Sequence, residues 1–111
     1  MYKRQVYLKL KAGKEDRWTE LGEKYYGPAN EAAGIPQPTI HWLMAGPWDI
    51  MMVIEMRNGL AVLDTHGSPD GAAFNEAFVE IAGGEEEAEK IRAENRKIVR
   101  DSVVTYSHTH P

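Results

Sequence analysis

The stretch Trp48-Asp49-Ile50-Met51-Met52-Val53-Ile54-Glu55-Met56-Arg57 decides the fold of this chain. Trp48, Ile50, Met52, Ile54 and Met56 fall on one parity and Asp49, Met51, Val53, Glu55 and Arg57 on the other, which is the period of a β-strand. Met51 and Val53 make the second face partly apolar, so the strand is expected inside a sheet or against an association surface. Gly46-Pro47 supplies a turn before it, and Thr39 to Ala45 reads as the other strand of a hairpin. Asn58-Gly59 predicts a further turn, with Leu60 to Leu63 as a short edge segment.

Toward the N-terminus, Val6, Leu8 and Leu10 alternate with Gln5, Tyr7 and Lys9, the pattern of a strand with one buried face, punctuated by Gly13. From about Glu15, Trp18, Leu21, Tyr25 and Ala29 recur at spacings of three and four and predict a helix. Gly27-Pro28 is expected to kink or end it, and Gly34, Pro36 and Pro38 to stop it. Toward the C-terminus, Ser68-Pro69 has the chemistry of a helix entrance, a capping hydroxyl followed by a residue with no first-turn donor. Phe74, Ala77, Phe78 and Ile81 form an apolar stripe, Gly83-Gly84 breaks it, and Glu85 to Arg100 predicts a second helical segment through Ala88, Ile91, Ile98 and Val99. Its glutamates come first and Arg96, Lys97 and Arg100 last, which suits the helix dipole and a solvated face. Val103, Val104 and Tyr106 start a final strand that His108-Thr109-His110 extends.

At 111 residues the chain is expected to form a single domain over 1–111. The absence of cysteine removes disulfides, thiolate nucleophiles and cysteine-held iron–sulfur clusters. No apolar run suits a secretion signal or a membrane span, so a cytoplasmic protein without a membrane partner is expected. A net charge of −4 gives no general attraction to nucleic acid. Gly67-Ser68-Pro69-Asp70-Gly71 lacks the ending of a phosphate-binding loop, and Ser68 and Ser107 lack the setting of a nucleophilic serine.

The element order is therefore β-α-β-β-α-β, an α+β, ferredoxin-like arrangement with its second helix split. With helices covering Val6, Leu8 and Leu10, the opposite sheet face carries Tyr7 and other aromatic and methionine side chains. Covering that face with a second copy recovers roughly 25 cal/mol per Å² of apolar area before association costs, so a homodimer is expected.

Two segments carry a family resemblance: Val6-Tyr7-Leu8-Lys9-Leu10-Lys11-Ala12-Gly13 ahead of Trp18, and Ala45-Gly46-Pro47-Trp48-Asp49-Ile50-Met51-Met52-Val53-Ile54-Glu55. Over residues 5 to 109 the chain resembles the dimeric α/β-barrel group, in particular antibiotic-biosynthesis monooxygenase and EthD-like proteins. The resemblance implies a dimeric α/β barrel and a cofactor-independent monooxygenase or related isomerase, so no cofactor is assigned. The same scaffold also carries heme degraders, decarboxylases and proteins with no known reaction.

A small aromatic or hydrophobic molecule, polyketide-like in the monooxygenase reading, is expected between sheet and helices. Tyr7, Trp48, Asp49, Met52 and Tyr106 are the candidate substrate contacts, with Trp42 as an alternative. His41, and after it His108, are the candidate catalytic groups, because an imidazole exchanges protons with a phenol or enol near neutral pH. Each has a structural alternative: the aromatics as packing, the methionines as core filler, Asp49 as a turn residue. Two other readings stand beside this one: a noncatalytic metabolite-binding or structural dimer, and a heme- or metal-binding protein. His41, Asp64, His66, His108 and His110 are the ligand types for the latter, but they form no compact motif, and no metal is assigned.

Overall fold

A computed structural model describes residues 2–56 and 69–110. Strand β1 (Tyr2–Leu10) leads into a continuous helical run: α1 (Glu15–Leu21), a π-helical turn (Gly22–Tyr26) and α2 (Gly27–Ala32). Strands β2 (Thr39–Trp42) and β3 (Ile50–Glu55) follow, then α3 (Pro69–Ala82), α4 (Glu85–Ile98) and β4 (Val99–His108). The four strands make one antiparallel sheet in the order β2-β3-β1-β4.

Register sorts the side chains onto two faces. Val6 lies opposite Met52 and Val104, Leu8 opposite Ile50 and Ser102, and Ile40 and Trp42 opposite Met52 and Ile50. Directly opposed residues share a face, so these side chains point toward the helices. Tyr7, Met51, Val53, His41 and Val103 take the other face, which the helices leave uncovered. The core is closed by Leu21, Ile50 and Phe78, all fully buried, with Leu8, Leu10, Ala88 and Ile98 packed around them. At its margin Phe74 stacks on Phe78 and the Tyr26 ring meets Phe78 at a tilt.

Several expectations are corrected. The sheet is not closed into a barrel: β2 and β4 are its two edges, with β3 and β1 between them, and β2 has only four residues, all exposed. The helix does not end at Gly27-Pro28. Pro28 has no N–H to donate to the carbonyl four residues back, and the helix passes it by widening one turn earlier, where Gly27 N–H donates to Gly22 O. β2 stops at Trp42 rather than reaching Ala45, and α4 gives way at Val99 directly to β4, which runs to His108. The turn at Asn58-Gly59, the segment Leu60 to Leu63, and Asp64, His66 and Ser68 lie outside the described residues.

Candidate functional site

A groove of about 710 Å³ lies between the helix-facing side of the sheet and the helical run 15–32. Its floor is set by strand parity: Leu8 from β1, Met52 and Ile54 from β3, Ile40 and Trp42 from the edge strand β2. Its roof comes from successive helical turns, with Trp18 on α1, Gly22 and Tyr26 on the π-helical turn, and Phe74 of α3 at one side. The π-helical turn lets the roof pass over β2 and β3 without filling the space, since Gly22 and Gly27 present no side chain there. Trp18 meets Trp42 edge-on, ring centroids 5.7 Å apart, so one wall is an aromatic corner contributed by two elements.

The polar side chains on the lining are Arg4, Thr19, Glu23, Asn30, Gln37 and Asn95, with the Tyr26 hydroxyl. Gln37 donates through Nε2 to Gly27 O at 2.8 Å and accepts from Asn30 at 3.5 Å, fastening the loop before β2 to the roof. Arg4 is the single cation and Glu23 the single carboxylate on the described lining. Burial pushes the Tyr26 phenol up, against the opposing pull of Arg92 and Arg96, so it stays a neutral hydroxyl. A second depression, between α3 and α4, is lined by Asn75, Glu76, Val79, Glu85 and Arg92, and this Arg92 is held by Glu85 and Glu89.

Of the candidate substrate contacts, Met52 lies on the groove floor. Tyr7 and Trp48 come together on the helix-free side, their rings 6.2 Å apart and tilted. Asp49 ties strand ends: its Oδ2 accepts from Leu10 N–H at 2.8 Å, its N–H donates to Leu8 O at 2.9 Å, and its carbonyl accepts from Leu43 N–H at 2.9 Å. Tyr106 stands exposed beside Arg4 on β4. His41 is exposed on β2, opposite Met51 on the helix-free face. His108 is on the far edge strand, its ring 5.4 Å from Tyr2 and its Nε2 2.8 Å from Nε2 of His110. The two catalytic candidates thus sit on opposite edges, three strand spacings or about 14 Å apart across the sheet and five residues or about 17 Å apart along the strands, and on opposite faces. The structure does not bring them together. Among the described residues no three histidine or acidic side chains are placed to hold a metal ion, and no helix is long and apolar enough to cross a membrane.

Arg4, Ile40, Tyr26 and the Trp18–Trp42 corner are lining features that no motif in the sequence marks. Arg4 shares the parity of Val6, Leu8 and Leu10, which was the signal available. Trp18 belonged to a helical apolar stripe, and only the three-dimensional arrangement shows that part of that stripe stops short of the sheet.

No protein-family model matches the sequence, and no curated protein matches it significantly. Solved structures do share the fold. A NIPSNAP domain protein from Burkholderia xenovorans is similar with a TM-score of 0.62 at 9% identity, over 99% of this chain and 95% of that one. Two NIPSNAP family proteins from Agrobacterium tumefaciens give TM-scores of 0.60 and 0.57, each at 14% identity, over 98% and 96% of this chain and 84% of theirs. One of the two is described as of unknown function. This corrects the resemblance to antibiotic-biosynthesis monooxygenase and EthD-like proteins: these three solved structures carry the NIPSNAP name, and the monooxygenase and oxidoreductase assignments lose their support. At these identities the likeness is one of fold.

Proposed function

We propose that this protein is a small-molecule-binding protein that holds an apolar ligand in the groove between its sheet and the helical run 15–32. The observation that supports the reading most strongly is the groove itself: about 710 Å³, bounded mainly by aliphatic and aromatic side chains and cornered by Trp18 and Trp42. Its described lining includes no histidine, so neither imidazole candidate belongs to the groove. A catalytic part for His41 or His108 would be played outside the groove, and His41→Ala tests it against any turnover found.

The same reading includes self-association. Tyr7, Met51, Val53 and Val103 share the helix-free face, and a second copy laid against it would take this apolar area from water.

Titration calorimetry with decan-1-ol, a neutral apolar probe, tests the groove. One saturable site per chain is expected. Ile40→Glu places a charge on the floor from an exposed edge-strand position, and is expected to abolish binding while leaving the circular dichroism spectrum unchanged. No saturable heat, or equal binding by the variant, rejects the groove as the site.

A further inference from the structure

Arg4 stands at one end of the groove and has no partner among the described residues. Arg17 is engaged by Glu20 and Glu94, and Arg92 and Arg96 by glutamates of their own helix. The Arg4 guanidinium makes no hydrogen bond or ion pair with any described residue, yet its place in β1, opposite Ile54 and Tyr106, puts it on the helix-facing side at the groove. The row Leu8–Ile50–Trp42 marks the other end, where Trp42 meets Trp18. Four residues of strand separate the two ends, about 13 Å at 3.3 Å per residue. The groove is therefore amphipathic along its length: beside Ile54 at one end a cation that no described residue engages, an aromatic corner at the other, and Met52 and Ile40 between.

From this geometry we infer that the ligand is an apolar monocarboxylate, its carboxylate against Arg4 and its hydrocarbon body running toward Trp18 and Trp42; this rests on the groove reading proposed above. A guanidinium offers parallel N–H donors that match a carboxylate two-fold, and an unpaired one beside apolar surface favours an anion over a neutral head group. Asn30 bonds to Gln37, and Gln37 to the backbone, so the charged group on the described lining that suits an anion is Arg4. Glu23, exposed on the roof helix, is the one lining group that favours the opposite charge, which makes a primary amine the informative competitor.

Decanoate, decan-1-ol and decylamine have one body, of about the groove's length, and three head groups. Titrated into the full chain at pH 7.5 and moderate ionic strength, decanoate is expected to bind at least about tenfold more tightly than decan-1-ol, the gain of one charge-assisted hydrogen-bonded contact. Decylamine is expected to bind no better than the alcohol. Arg4→Met, which keeps an apolar stem at an exposed position, is expected to erase the decanoate advantage while leaving the alcohol's affinity within about twofold, and Arg4→Gln checks the same point in case the first variant folds poorly. Equal affinities of decanoate and decan-1-ol, a decanoate advantage that survives both variants, or tightest binding by decylamine overturns the carboxylate inference and leaves the groove reading intact. Failure of all three probes to bind rejects the groove reading, and the inference with it.

Discussion

Asp49 holds three strand ends in register through one carboxylate oxygen and its own peptide groups. Leu10 is buried, and its N–H has the Asp49 carboxylate as acceptor. Asp49→Ala removes that acceptor and is expected to cost about 1–3 kcal/mol in urea unfolding, whereas Asp49→Asn, which keeps an oxygen, should cost less. Gly27 gives a sharper case, because there the sign is diagnostic. Its φ of −63° is ordinary helix, where alanine normally stabilises by about 1 kcal/mol relative to glycine. A β-carbon there, however, would sit 2.9 Å from the Gly22 carbonyl oxygen, the acceptor of the π-turn bond. Gly27→Ala is therefore expected to destabilise by about 1–3 kcal/mol; a raised melting temperature would mean that the widened turn relaxes to α-helix.

At the level of elements, α1 is fastened to α4 by a two-pronged pair: Arg17 donates through Nε and Nη2 to the two carboxylate oxygens of Glu94 at 2.5 and 2.7 Å. The Arg17 hydrogen bond holds the Glu94 carboxyl below its ordinary value of 4.5, opposed by desolvation and helped by the charges of Arg17 and Lys14. A group with a depressed folded pKa stabilises the fold above its unfolded pKa and loses that contribution as pH falls through the folded one. Wild type is thus expected to melt slightly above Glu94→Gln at pH 7, and the gap to close as pH drops below about 4. A gap unchanged from pH 7 to pH 3 would exclude this carboxylate as its source. Elements also show what the sequence made legible. The alternation in β1 and β3 fixed which residues face the helices, and the charges of α4 ran in the order its dipole favours, with Glu85 to Glu87 in the first turn and Arg96 and Lys97 in the last. The passage from α4 into β4 was not legible, because Ile98 and Val99 continue one apolar pattern with no glycine or proline between them. Nor was the π-helical turn, since Gly27-Pro28 signals an interruption but not how a helix accommodates it. The parity of β3 put Met52 on the face that the structure turns toward the groove; Arg4 drew no such reading, because a charge in a strand is ordinarily assigned to solvent.

For the molecule as a whole, the two faces of the open sheet have separate tasks under the proposal made above. One face forms the floor of the groove. The other presents Tyr7 against Trp48, with Met51, Val53 and Val103 beside them, and nothing within the described chain covers it. Because side chains alternate along a strand, a substitution on one face can leave the other in place, so the two tasks are separable by experiment. Val103 is 43% exposed and its strand is an edge, so a charged residue there costs little in the single chain but would be desolvated in an interface between two copies. Val103→Glu is expected to shift the protein from dimer to monomer in sedimentation equilibrium at micromolar concentration, while decan-1-ol binding stays within about twofold of wild type. A wild type that sediments only as monomer removes the self-association reading and leaves the groove untouched. Loss of probe binding together with the dimer would show instead that the groove depends on the second copy, and the two faces would then have to be treated as one site.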